Sequence, residues 1–101
     1  MTDSTDYLVH IHDRDVAHLI DGYLARRRDD VILARNALKQ GDYEGLALLG
    51  HNLHGSGGAY GIPQLSRIGQ DLERAARSEE AADIEALIAQ LDQLLDRVRI
   101  V

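Results

Sequence analysis

The sequence predicts an all-α fold: an antiparallel, up-down four-helix bundle with a short additional helix at its N-terminus. Three observations lead there. Apolar residues recur at helical spacing through most of the 101 residues, the signature of amphipathic helices. Leu, Ile, Val and Ala dominate the apolar set, with no Trp, no Phe and only four Tyr, so the core is aliphatic and favours helices packed on helices. Helix-ending glycines and a single proline fall where one apolar stripe stops and the next begins. A chain of this length is one domain, large enough for a single core.

Taken in order, residues 1–12 read as an N-terminal tail and residues 13–101 as the bundle. Tyr7-Leu8-Val9 and Ile100-Val101 are short apolar ends placed to pack against each other. Asp13 or Asp15 can cap the first helix, because a short carboxylate accepts from the free backbone N–H groups of a first turn. Val16, Leu19, Ile20, Tyr23, Leu24, Val31, Ala34 and Leu38 then mark a stripe from about 15 to 40. Gly22 is a candidate break, dividing it into the short helix and a long one. Gly41 ends this segment and Asp42 caps the next. At 100° per residue, Leu46, Leu49, Leu53, Gly57 and Tyr60 share one narrow face, which makes them the core side of the second main helix. Gly61 can supply a left-handed residue beyond it, and Pro63 suits the first turn of the third. Leu65, Ile68, Leu72 and Ala75 or Ala76 form the third helix's buried face. Ser78 to Ala81 turn the chain, and Ile84, Leu87, Ile88, Leu91, Leu94, Leu95 and Val98 give the cleanest stripe of all.

Composition narrows the function. A formal net charge of −6 argues against nucleic acid, whose affinity rests on neutralising phosphates with Lys and Arg. The one dense basic run, Arg26-Arg27-Arg28, has Asp29 and Asp30 beside it and reads as a solvated helix face, as do Glu79 and Glu80. The absence of cysteine removes disulfides and thiolate chemistry. No stretch approaches the ~18–20 apolar residues of a membrane span. The first six residues lack the basic start and apolar run of a secretory signal. A cytoplasmic monomer is the expectation.

The most informative segment is His51-Asn52-Leu53-His54-Gly55-Ser56-Gly57-Gly58-Ala59-Tyr60-Gly61. His51 falls opposite the core stripe, and its neighbours at helical spacing are Ala47, Leu48, Gly55 and Gly58. The imidazole therefore stands above a surface with few bulky side chains, as a nucleophile offered to another protein would. Gly50, Gly55, Gly57 and Gly58 each cost a helix interior about 0.5–1 kcal/mol relative to alanine. Local rules broken at that cost tend to mark functional positions. Close helix packing accounts for Gly57 on the core stripe, but not for Gly55 and Gly58 beside the histidine.

These residues resemble the signature of the histidine-containing phosphotransfer (HPt) domains of bacterial phosphorelays, roughly His-x-Leu-Lys-Gly-Ser followed by small residues and a glycine. His51, Leu53, Gly55, Ser56, Gly57, Gly58 and Gly61 stand in that register. The likeness continues through Tyr60-Gly61 into Leu72-Glu73-Arg74-Ala75-Ala76. One position departs: where the family has lysine, three residues after the phosphorylated histidine, this chain has His54.

The resemblance implies that His51 accepts a phosphoryl group from the aspartyl phosphate of one receiver domain and passes it to the aspartate of another. A hybrid sensor kinase and a response regulator would supply the two receivers. An imidazole with a pKa near 6.5 is mostly neutral at cytoplasmic pH and can act as that nucleophile. No P-loop or ATP-binding pattern occurs, so the chain reads as a phosphocarrier and not an autonomous kinase. It binds no cofactor of its own, and Mg²⁺ is expected on the partner receiver. Ala47, Leu48, Gly55 and Gly58 are the docking candidates, and His54 the candidate hydrogen-bond donor to the phosphoryl group. No metal site is expected: the i,i+3 pair His51 and His54 is too few ligands, and His10, His12 and His18 stand apart. The alternative is a receiver-binding regulatory module of the same fold that is never phosphorylated.

Overall fold

A computed structural model describes residues 6–11 and 13–101. Four helices account for most of them: α1 (Arg14–Gln40), α2 (Tyr43–Gly57), α3 (Pro63–Arg77) and α4 (Ala81–Arg97). Two short strands, β1 (Tyr7–Val9) and β2 (Val98–Ile100), bracket them.

The helix ends follow local chemistry. The Asp13 carboxylate accepts from the backbone N–H of Asp15 at 2.8 Å, which makes Asp13 the cap of α1. Gly41, at φ 68°, closes that helix in the left-handed region, where an L side chain would be strained. The Asp42 carboxylate accepts from Gly45 N–H at 2.9 Å and opens α2. Gly61, at φ 80°, reverses the chain, Ile62 is fully buried, and Pro63 occupies the first turn of α3. A proline is tolerated there because its missing N–H would have no helical partner.

The short N-terminal helix and the long one expected after Gly22 form a single helix: α1 runs without a break through Gly22. A lone glycine disfavours a helix interior by only about 1 kcal/mol. Ile20, Tyr23 and Leu24 are buried on either side of it, and each fully buried large side chain stabilises by about 1.5–3 kcal/mol. Packing wins. Val16 and Leu19, placed on the core stripe by their spacing, are exposed.

The core is aliphatic, filled by Leu46, Leu53, Leu65, Leu72, Ile84, Leu91 and Leu95, with Tyr23 the one deeply buried aromatic among the described residues. The Tyr23 ring stacks on Tyr60 at a centroid distance of 4.0 Å. Tyr23 Oη and Ser56 Oγ share a hydrogen bond at 2.7 Å, so α1 is fastened to the last turn of α2. Arg27 is not the solvated residue expected of its basic run. Its guanidinium lies over the Tyr23 ring, and Nε sits 2.9 Å from Asp30 Oδ2. That contact is not aligned for donation, so Nε is buried without a hydrogen-bond partner among the described residues. Asp30 is half-buried too, and its carboxyl is raised above the usual range, first by burial and then by Asp29, against the opposing pull of Arg27.

The apolar ends pair. β1 and β2 lie parallel, with Tyr7 opposite Val98, Leu8 opposite Arg99 and Val9 opposite Ile100. Ile11 N–H donating to Val101 O, and Val101 N–H to Val9 O, lengthen the ladder. Val9 and Val98 are buried, which ties part of the segment read as a tail to the bundle.

Candidate functional site

The site is built on the close approach of α2 to α3. A Cβ placed on Gly50 would lie 2.6 Å from Glu73 N and 2.7 Å from Gly69 O. One on Gly69 would lie 2.6 Å from Gly50 O and would also strike the backbone of His54, while one on Gly57 would strike Ser66 N. Backbone atoms cannot yield as side-chain ends can, so these three glycines let the helices touch. The pairings 50 with 69 and 73, and 57 with 65 and 66, show that α3 runs back along α2. Gly50 thus occupies the core face of α2 with Leu46, Leu53 and Gly57, whereas Leu49 and Tyr60, expected on that stripe, are half-buried.

Gly55 and Gly58 behave differently. A Cβ on either would meet nothing within 4 Å, so no neighbour among the described residues requires glycine there. Between them and Leu48 stands His51, exposed, with Leu48 itself 61% exposed and Ala47 half-buried. A shallow depression of about 450 Å³ opens beside the histidine, lined by Tyr43, Ala47, Leu48, His51, Ala76 and Arg77 among others.

Because α3 is so close, its outer stripe of Ser66, Gln70, Glu73 and Arg77 runs beside the histidines. His51 Nδ1 lies 3.5 Å from Glu73 Oε1, an electrostatic contact at the limit of hydrogen-bonding range. The other oxygen of Glu73 accepts from Arg77 Nη2 at 2.6 Å and Nε at 3.3 Å. Arg77 is the main reason that the Glu73 carboxyl is held below its ordinary value. Partial desolvation opposes this, and the positive charges of Arg77 and His51 add to the lowering. An ionised carboxylate can only accept. In a neutral His51 ring the proton therefore belongs on Nδ1, which leaves the lone pair on Nε2.

His54, one turn further on, is engaged by the N-terminal end of α3. Its Nδ1 lies 3.1 Å from Ser66 O and 3.0 Å from Ser66 Oγ. The Ser66 hydroxyl donates to His54 O at 2.6 Å, satisfying a carbonyl in the last turn of α2. Ser66 and Arg77 are not among the residues that the sequence singles out, and Glu73 enters there only as part of the resemblance, without a role. Their spacing of four, seven and eleven along one helix was the available signal, but which face it covered depends on how α2 and α3 slide. Of the second histidine cluster, His10 and His18 are exposed and His12 lies outside the described residues. Among the described residues no three potential metal-ligating side chains converge.

The family model for the Hpt domain matches residues 18–100, which include all of this geometry. The chain belongs to the Hpt domain family. Hpt domains are phosphocarrier modules of two-component phosphorelays and act with receiver domains. No curated protein and no solved structure matches the chain. Among the described residues no helix is long and apolar enough to cross a membrane.

Proposed function

We propose that His51 is the phosphoacceptor, taking a phosphoryl group from the aspartyl phosphate of a hybrid kinase's receiver and giving it to the aspartate of a response regulator. The observation that supports this best is an exposed imidazole whose Nδ1 faces an ionised carboxylate, beside two glycines that no neighbour among the described residues requires. The Nε2 lone pair forms the N–P bond as the P–O bond to the donor aspartate breaks, and the donor's carboxylate is released. Nδ1–H remains toward Glu73, which offsets the positive charge that develops on the ring. Transfer of this kind depends on positioning and charge neutralisation more than on covalent help. Mg²⁺ on the receiver supplies neutralisation from the partner's side.

Leu48 and Ala47 form the apolar part of the docking patch, while Gly55 and Gly58 admit the receiver's loops. A small, partly apolar patch suits transient docking. His54 is the residue of this chain placed to meet the phosphoryl group from the α3 side. The working unit is the bundle of residues 13–101 with all four helices alternating in direction, as a cytoplasmic monomer.

Incubation with a receiver bearing aspartyl phosphate and Mg²⁺ tests this. The expected result is an acid-labile, alkali-stable label that is lost in His51→Gln. Docking without any label on the wild type would instead identify a receiver-binding module.

A further inference from the structure

We propose that Ser66 is a positioning residue that fixes the tautomer of His54, so that His54 offers the phosphoryl group a hydrogen-bond donor only when its ring is a cation. This rests on the reading of His51 as the phosphoacceptor.

The geometry assigns the protons. Ser66 O is a carbonyl and can only accept, so the 3.1 Å contact requires a proton on His54 Nδ1. The Ser66 hydroxyl has one proton, committed to His54 O in the shorter bond at 2.6 Å. Its oxygen then also accepts from Nδ1–H at 3.0 Å. Both acceptors pull the same proton to the same nitrogen. In the neutral ring Nε2 is left with a lone pair on the exposed edge, which repels a phosphoryl oxygen. Protonation turns that nitrogen into a charged donor. A lysine at this position would stay charged throughout the working range, whereas an imidazole ordinarily titrates near neutrality.

The carboxylates around His54 are committed to other partners. On α2 the other titratable group nearby is His51. On α3 the charged side chains along and beside the facing stripe are Arg67, Asp71, Glu73, Arg74 and Arg77. Glu73 pairs with His51 and Arg77, and Asp71 pairs with Arg74. Among the described residues no carboxylate forms an ion pair with His54, so none holds it permanently charged. The consequence is a phosphohistidine whose lifetime falls as pH rises, relative to a variant with a fixed charge.

Two measurements decide it. Nitrogen-15 NMR of the unphosphorylated protein at pH 9 should show His54 as the Nδ1–H tautomer, and Ser66→Ala, which removes the hydroxyl acceptor but keeps the backbone carbonyl, should raise the Nε2–H fraction without abolishing the Nδ1–H form. In phosphorylated protein, wild type and His54→Lys should match at pH 6. At pH 9 the wild-type lifetime should be roughly tenfold shorter, the scale of one charge-assisted hydrogen bond. Ser66→Ala should recover only the part of that loss set by its raised Nε2–H fraction, since the carbonyl of residue 66 still competes for the proton on Nδ1. An Nε2–H tautomer in the wild type, or an unchanged ratio to His54→Lys across this range, overturns the proposal. Failure to label His51 in any variant would refute the phosphoacceptor reading and the lifetime effect with it. The tautomer spectrum would still decide the role of Ser66.

Discussion

Replacing Gly55 and Gly58 together by alanine should make the protein more stable and a worse phosphocarrier. Both positions have helical backbone, Gly58 at φ −65° and ψ −37°, and a Cβ at either meets open space. Each substitution therefore gains helix propensity, about 0.5–1 kcal/mol, with no steric penalty to set against it. The pair should add about 1–2 kcal/mol, which for a domain of this size raises Tm by roughly 4–16 °C. The same change at Gly69 has the opposite sign. Its Cβ would press on the backbone of Gly50 and His54, so α2 and α3 must separate by a substantial fraction of an ångström. Overpacking of that kind costs about 1–3 kcal/mol, and with backbone on both sides the upper end applies, outweighing the propensity gain. Thermal unfolding reads the stabilities, and the rate of label transfer from a phosphorylated receiver reads the function. Gly55→Ala/Gly58→Ala should transfer more slowly in proportion to lost docking. A less stable double variant, or one that transfers at the wild-type rate, would refute the claim that these glycines are kept open for a partner.

Three further outcomes follow from the same geometry. Glu73→Gln should slow phosphorylation of His51 several-fold, since an amide no longer offsets the developing ring charge; single-turnover kinetics would show it, with circular dichroism confirming an intact fold. Leu48→Glu should weaken receiver binding about tenfold or more by calorimetry while changing stability by less than ~0.5 kcal/mol, because the side chain is largely exposed. Asp30 gives a pH signature. Its carboxyl is raised in the folded protein, chiefly by burial, so its contribution favours folding below the ordinary carboxylate value and is lost as pH rises through the raised one. Asp30→Asn should therefore be relatively more stable, compared with wild type, at pH 7 than at pH 3 in urea titrations; a difference that does not change with pH would refute this.

Much of the molecule was legible because the deciding forces are local. Asp13, Gly41, Asp42, Gly61 and Pro63 each act on their own turn of backbone, and each marks an element boundary. The outward placement of His51 follows from helical spacing within one segment. What escaped the sequence depends on contacts between segments. Gly22 has the chemistry of a break, yet the buried side chains around it hold the helix continuous. Arg27 has the chemistry of a solvated residue, yet Tyr23 and Asp30 hold it half-buried. Glu73 and Ser66 reach the histidines only because Gly50, Gly57 and Gly69 set the axial offset of α2 against α3. The sequence provides the glycines, but the offset exists only in the packed pair. The sequence brings the two apolar ends together, but their parallel register joins residues far apart in the chain, which no local pattern can align.

The most direct test is phosphorus-31 NMR of the protein after phosphorylation by a receiver. A single phosphoramidate signal assigned to Nε2 of His51, absent in His51→Gln, is the predicted result. A signal on Nδ1, on another residue, or one that persists in His51→Gln would contradict the placement of the nucleophile between Glu73 and the open glycine face.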